Sequence, residues 1–496
     1  MTATATADVD LKELPRVVAQ EIRGGSRFAG LFGSPRGSAV RLRAVLVRGG
    51  EVASFDAYTS PDETVYPALT PLVPPAAWYE REISDRFGLF PSGHPRTDSL
   101  VLPLAAATQG RLHRSAALSN DCELDVRPLP SHLTGEGVFT IPYGPVRSGV
   151  FESVEYLVET PGENIPHVRS RVYYKHRGVE GCFERLPPRD GVLVAERVEG
   201  VASVAHAMAF SQAVEEICGL EVPFEAALVR VIFAELERIA NHLDSTIRHT
   251  EAAGQAVAYA RLTTHKERLL RLRSRLCGSR FARGVVVPGG VSGPLLLSAG
   301  ETLRAAGDLE GVIRADLDLL LETPSFIDRL RGTGVVGPDI ARTQGAIGPL
   351  GKGSGQVDDG RVERPYAAYG SLGIESPRPR SDGDALARQR VRCEEIWGAF
   401  HLIREAVDEL DEIGFRREWS VPCHPGSGEA LAWAEAPQGE VLYLVEMSDG
   451  LLTRVKPRSA SFHNLAIFPL AFPKDIFTDF AFIEASFGLS IAGVSG

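Results

Sequence analysis

The chain has 496 residues, 44% apolar and 24% charged, which is the make-up of a folded protein too long for one ordinary core; two to four domains are expected. Its net charge of −11 offers no basic face at whole-chain level, which argues against a bare nucleic-acid binder. Met1 to Asp10 is Thr/Ala-rich and lacks the basic and apolar regions of a secretory signal. The uncharged run Gly284 to Gly300 holds five glycines and two prolines, too short and broken to cross about 30 Å of hydrocarbon as a helix. Work at a membrane would therefore need a partner to hold the chain there.

Leu11, Leu14, Val17, Val18 and Ile22 recur at helical spacing. Val40, Leu42, Ala44 and Leu46 alternate with Arg41, Arg43 and Val45, the pattern of a half-buried strand. Gly49-Gly50 supplies a turn, and Val52 to Tyr58 returns as a second strand. Trp78 to Phe87 reads as a charged surface helix ending at Gly88, followed by a tight loop. From Pro103 to about Gly137 an Ala-, Ser-, Pro- and Gly-rich stretch predicts a linker. Phe139 to Tyr174 reads as strands and turns.

A helical body follows. Leu228, Ile232, Leu236, Ile239 and Leu243 form one stripe, and Cys393, Ile396, Phe400, Ile403, Val407, Leu410 and Ile413 form another. Beside the first, Glu235, Glu237 and Arg238 read as i,i+3 ion pairs, and His206 and His242 as hydrogen-bonded helix histidines. Gly345 to Gly360 is glycine-rich and reads as irregular. Gly353 separates Lys352 from Ser354, so the stretch fails as a phosphate loop. From Val441 a short hairpin leads to Arg454 and Arg458, two arginines read as flanking a turn with no nearby acid in sequence. No two of the six cysteines sit three positions apart, so they read as isolated buried thiols.

Several strings carry a family resemblance. Glu80-Arg81-Glu82-Ile83, Asp85, Phe87-Gly88 and Gly93-His94-Pro95 resemble the signature of the 30 kDa-type subunit of complex I. From Phe139 onward the order of Ile141-Pro142-Tyr143-Gly144-Pro145, Lys175-His176-Arg177-Gly178-Val179-Glu180, Glu196-Arg197-Val198, Glu235 to His242, Gly278-Ser279-Arg280-Phe281, Pro288 to Val291, Arg364-Pro365-Tyr366 and Arg454 to Phe462 resembles the 49 kDa-type subunit. It is closer still to the formate hydrogenlyase-type large subunit of group 4 nickel–iron hydrogenases. The resemblance implies an α+β chain: a small α/β domain at 1–103, a linker at 104–136, and a mainly helical hydrogenase-large-subunit-like domain at 137–496 with β elements at both its ends.

The same resemblance implies a peripheral-arm subunit of a membrane-associated, NADH- or ferredoxin-dependent, quinone-type oxidoreductase complex. It would lie on the cytoplasmic side, attached to the membrane through partners. Those partners would be an iron–sulfur small subunit of the complex I 20 kDa type, a membrane subunit of the complex I heel type, antiporter-like membrane subunits and a ferredoxin-like subunit. The cluster would belong to the small subunit, and no cofactor is expected on this chain. A nickel–iron centre needs four soft thiolates from the chain. In this sequence their slots fall on Glu199, Ala202, Ser490 and Gly493, so no metal is expected. Glu180, Glu199 and Arg177 are the candidate catalytic residues, as a proton relay. The quinone-binding tyrosine and histidine slots fall on Gly200 and Arg147, leaving Arg147, His206 and Arg458 as candidate contacts for a quinone or an anion. Two other readings stay open, a non-catalytic scaffold subunit and a quinone-reactive dehydrogenase subunit.

Overall fold

The computed structural model describes residues 5–61, 63–102, 132–147, 152–414 and 418–496. The expected linker falls on residues outside these for most of its length, as does Cys122. The chain opens with β1 (Ala5–Asp8), α1 (Leu14–Arg23), β2 (Arg27–Arg36), β3 (Ala39–Arg48) and β4 (Glu51–Tyr58). The strands form one sheet in the order β1-β4-β3-β2, with β1 parallel to β4 and the other pairs antiparallel. The helix and both strands expected from periodicity are there. Strand β3, however, is covered on both faces. Leu42, Ala44 and Leu46 pack in one core with Leu14 and Val18 of α1, while Val45 and Val47 join the core of the helical body. Its two buried arginines are answered across the sheet and beyond it: Arg43 Nε donates to Asp56 at 2.6 Å, and Arg41 Nη1 donates to Glu429 at 3.0 Å. Alternation of Arg with apolar residues thus marks two buried faces here, because burial of a charge is tolerated once it is paired.

After β5 (Val65–Pro67) comes α2 (Ala77–Phe87), closed by Gly88 in the left-handed region at φ 67°, and then β6 (Phe90–Ser92), parallel to β5. The expected surface helix is in fact buried, and each acid has a partner. Glu80 accepts from the N–H groups of Leu69 and Thr70 at 2.7 and 2.9 Å, and Asp85 from those of Leu100 and Val101 at 2.8 Å each.

Next stands an antiparallel sheet of β7 (Phe139–Tyr143), β8 (Glu155–Thr160) and β9 (His167–Arg171), followed by α3 (Val179–Cys182), α4 (Pro188–Ala195), α5 (Ser203–Cys218), α6 (Phe224–Ala252) and α7 (Ala256–Cys277). A small hairpin, β10 (Val286–Val287) and β11 (Gly290–Val291), sits in the uncharged run. Helix α6 is the axis of the body, buried along most of its length. Its charges are resolved by neighbours. Arg238 Nε meets Glu235 at 3.0 Å as expected, whereas Glu237 turns away to accept from Val204 and Ala205 N–H at the start of α5. His242 Nε2 pairs with Glu395 at 2.7 Å.

Helix α8 (Ala299–Leu321) begins with a reciprocal capping box between Ser298 and Glu301. Ser298→Ala should lower stability by about 1 kcal/mol, read as the shift of the urea midpoint at unchanged slope. After α9 (Pro324–Leu330) and α10 (Pro338–Gln344), the glycine-rich stretch holds the short helix α11 (Gly348–Gly353), where irregular chain was expected, and runs into α12 (Gly360–Glu363). They are anchored by charge: Lys352 Nζ lies 2.6 Å from Asp359 and 2.7 Å from Glu395, all three buried. Helix α13 (Ala385–Ile413) packs along α6. A three-stranded antiparallel sheet follows, of β12 (Gly428–Ala436), β13 (Gly439–Ser448) and β14 (Leu451–Arg458), the first of which the sequence pattern did not suggest. Helices α14 (Ala460–Leu465), α15 (Phe480–Phe487) and α16 (Ala492–Ser495) end the chain and bring Phe462, Leu465, Ile483 and Val494 into the same core as α1 and α2. Among the described residues no helix is long and apolar enough to cross a membrane.

Candidate functional site

The residues at three of the four thiolate slots converge. Glu199 lies in the turn before α5, and its carboxylate is completely buried. One oxygen accepts from Ser461 Oγ on α14, and the other faces His206 Nε2 at 3.2 Å, one turn into α5. The opposite ring nitrogen of His206 meets Tyr443 Oη on β13 at 2.8 Å. Ser490 joins through its backbone, its N–H donating to Ser461 Oγ at 3.1 Å, while its hydroxyl turns to Glu152 at 2.8 Å. Gly493 completes the wall. A Cβ built on it would stand 2.8 Å from Glu199 Cδ and 3.0 Å from Ser459 Oγ, so any side chain there competes with the glutamate for the same space. Ala202 lies next along the turn, its N–H bonded to the Glu199 carbonyl. Burial and the nearby Glu199 charge push the Tyr443 phenol well above its ordinary value, so it stays protonated and can donate.

Glu180, on α3, belongs to a second group. Lys456 of β14 bridges it to Glu82 of α2, with Nζ 2.7 Å from Glu180 and 2.5 Å from Glu82. Arg86 reaches both carboxylates, at 3.2 and 3.1 Å, and Arg454 lies 3.5 Å from Glu180. Burial alone would raise the Glu180 pKa, but Arg86, Lys456 and Arg454 outweigh it and hold the group at about 2. Flanked by three cations, Glu180 is ionised throughout the neutral range, which does not suit the proton relay expected of it. A cavity of about 20 Å³ beside this group is lined by Tyr79, Glu82, Glu180, Val198, Lys456 and Arg458 among others. That is room for a single water and not for a quinone ring. The sequence pointed to Glu180 but not to Glu82, Arg86 or Lys456. Glu82 and Lys456 lie inside the strings that carried the resemblance, and Arg86 sits between Asp85 and Phe87 of the same strings.

Arg177 serves as a clamp. Its guanidinium donates to the carbonyls of Arg197, Val198 and Ala492, tying the turn that carries Glu199 to the start of α16. Arg147 pairs with Glu484 through two bonds at 2.7 and 3.0 Å, and its guanidinium lies over the rings of Tyr143 and Tyr156. Arg458 and Arg454 are not at a turn; both project from β14. Arg458 Nη2 pairs with Glu440 at 2.5 Å, and Arg454 Nη2 donates to the Gly33 carbonyl at 2.6 Å. Arg147, His206 and Arg458 thus each have a separate carboxylate partner, in Glu484, Glu199 and Glu440. The expectation of isolated buried thiols holds for Cys393 and fails for Cys182, Cys218 and Cys423. Cys218 and Cys423 lie side by side, Cys423 exposed and Cys218 half-buried, and Cys182 is exposed. Among the described residues no group of three or more His, Cys, Asp or Glu is placed to hold a metal ion.

Residues 253–422 match the family described as respiratory-chain NADH dehydrogenase, 49 Kd subunit; residues 41–113 match its 30 Kd subunit; and residues 177–244 match nickel-dependent hydrogenase. The chain is 29% identical over 414 residues to formate hydrogenlyase subunit 5 of Escherichia coli (strain K12), covering 80% of this chain and 71% of that one. It is 31% identical over 347 residues to the membrane-bound hydrogenase subunit alpha of Pyrococcus furiosus, covering 66% and 80% respectively. To an NADH-quinone oxidoreductase subunit of Campylobacter curvus it is 28% identical over 364 residues, covering 67% and 88%.

Proposed function

Since this chain belongs to the family that unites the large subunits of membrane-bound hydrogenases with the 49 kDa subunit of respiratory-chain NADH dehydrogenase, joined here to a 30 kDa-type segment, we propose that it works in a respiratory-type redox complex as a peripheral-arm subunit without a metal of its own. In this reading residues 1–103 and 137–496 correspond to the two fused subunits. The complex would supply an iron–sulfur small subunit, a heel-type membrane subunit, antiporter-like subunits and a ferredoxin-like subunit, and the chain would reach the membrane through them.

The observation that carries the reading is the Glu199 carboxylate packed against Gly493. A nickel–iron centre asks four thiolates of its chain. The residues at those slots offer a carboxylate, a methyl group, a hydroxyl already bonded to Glu152 and a bare glycine. That donor set does not fit the centre, and Glu199 fills the space a thiolate at 493 would need. In its place stands a hydrogen-bonded series of hydroxyl, imidazole and carboxylate groups, Tyr443, His206, Glu199 and Ser461. We assign it the movement or storage of a proton coupled to ion translocation elsewhere in the complex. Glu180, fixed as an ion, sets the local charge instead of passing protons itself.

Two experiments bear on this. Affinity purification of the tagged chain from its native membranes should bring down an iron–sulfur subunit and membrane subunits; recovery of the chain alone would contradict the reading. In the assembled complex Glu199→Gln keeps the shape and removes the charge. Ion-coupled turnover should fall by at least about tenfold with subunit composition unchanged. Unchanged turnover would favour the scaffold reading, which has one observation behind it: the cavity beside Glu180, lined also by Gly493, is only about 20 Å³.

A further inference from the structure

Cys218 is the last residue of α5, and Cys423 lies in the segment leading into β12, 205 positions later, yet their sulfurs are 3.2 Å apart. Both sides of the contact are held in place. At the end of α5, Glu215 pairs with Arg230 of α6 at 3.1 Å and accepts the Gly289 N–H at 2.8 Å. The segment carrying Cys423 is pinned ahead of the cysteine by Val421 N–H to the Gly289 carbonyl at 3.0 Å, and Trp419 O accepts from Val291 N–H at 2.9 Å. Beyond the cysteine it is pinned by Gly450 N–H to the Gly426 carbonyl at 3.0 Å and by Asp449 N–H to Ser427 Oγ at 2.9 Å. Gly289 has to be glycine for this: at φ 89° a Cβ would stand 2.1 Å from the Val421 carbonyl oxygen. Gly426 likewise presses on the pair, a Cβ there falling 3.3 Å from Cys218 Sγ. Two thiols at the surface, brought together by anchored backbone and reachable from solvent, are placed for chemistry with each other.

We propose that Cys218 and Cys423 form a redox-active dithiol that takes two-electron oxidation from a hydroperoxide to give a disulfide. The Cys218 thiolate attacks the outer peroxide oxygen; the S–O bond forms, the O–O bond breaks, and the departing oxide takes a proton to leave as an alcohol, or as water from hydrogen peroxide. Cys423 then attacks the Cys218 sulfur. The S–S bond forms, the S–O bond breaks, and hydroxide leaves and is protonated to water. The two thiols lose two electrons and two protons, and the peroxide gains them. A small dithiol reverses the reaction by exchange. Burial and the hydrogen bond to Cys218 push the Cys423 thiol up to about 12, so Cys423 keeps its proton at first and Cys218 is the attacking sulfur. The inference is independent of the role assigned to Glu199.

The full chain is treated with hydrogen peroxide, alkylated with a maleimide, digested without reduction and mapped by mass spectrometry. The exposed single thiol of Cys182 is the internal reference. The linked Cys218–Cys423 peptide should rise by about tenfold or more over the untreated chain, since proximity makes the second displacement intramolecular. In Cys423→Ser the sulfenic acid of Cys218 has no resolving thiol, so its trapping by dimedone should rise by a similar factor over the wild type. In Cys218→Ser, Cys423 should react no faster than Cys182. Both cysteines remaining fully alkylated at a peroxide dose that oxidises Cys182 would overturn the proposal, as would Cys218 linked mainly to another cysteine.

Discussion

Lys456→Met should destabilise the folded chain by about 3–5 kcal/mol, the range for removing one partner from a buried ion cluster. The ammonium lies 2.5 Å from Glu82 and 2.7 Å from Glu180, and methionine fills its volume without its charge. Two buried carboxylates are then left to share Arg86, 3.1 Å from Glu82 and 3.2 Å from Glu180, with the more distant Arg454. The pH dependence has a definite sign. Glu180 has a folded pKa of about 2 against an ordinary 4.5, so its contribution is fully present above about 4.5 and is lost as pH falls toward 2. Removing a cation raises the folded value toward the ordinary one, so the variant has less of this contribution to lose as pH falls. Urea midpoints at pH 7, 5 and 3 should show the variant weaker at pH 7 and the difference from the wild type smaller at pH 3. Equal midpoints at pH 7 would mean that the cluster contributes nothing net.

Glu440→Gln should have an effect of similar size, about 3–5 kcal/mol. Glu440 gathers three guanidinium groups, accepting from Arg458 at 2.5 Å, Arg364 at 2.6 Å and Arg27 at 3.1 Å. Burial opposes its charge, but Arg27, Arg364 and Arg458 together hold the carboxyl far below the usual range. With the charge gone, Arg27 and Arg364 keep Asp358, at 2.6 and 3.3 Å, whereas Arg458 keeps, among the described residues, the Glu440 carbonyl alone. Arg458→Met should therefore cost less than Glu440→Gln, because two cations still answer the carboxylate. The reverse order in urea unfolding would contradict this account of the cluster. Arg27 comes from β2 and Arg458 from β14, so the loss should also loosen the N-terminal sheet from the C-terminal one, read as faster amide exchange in β2.

What periodicity could show, it did show. Helices α1, α6 and α13 and strands β3 and β4 follow from apolar spacing, and Gly88 ends α2 because only a residue tolerant of positive φ closes a helix that way. Periodicity reports which residues are apolar, not which charges will find partners. Arg41 and Arg43 looked like a solvent face until Glu429, nearly four hundred positions on, covered them. The acids of α2 looked exposed because their partners are mostly backbone N–H groups of the loops before and after it. At the site, Glu199, Ser490 and Gly493 could be named from their places in family strings. That the glutamate occupies the glycine's space, or that α2 sends Glu82 and Arg86 to Lys456, depends on distances that no linear pattern holds. The pairing of Cys218 with Cys423 is of the same kind: a spacing of 205 residues resembles no motif.

The claim on which the rest depends is that a carboxylate stands where relatives of hydrogenase type would place thiolates. Element-resolved mass spectrometry of the complex, purified through this chain from cells supplied with nickel and iron, tests it most directly. The account predicts nickel far below one atom per chain, with iron accounted for by the clusters of partner subunits. One nickel per chain, retained through gel filtration and lost in Glu199→Ala, would contradict it.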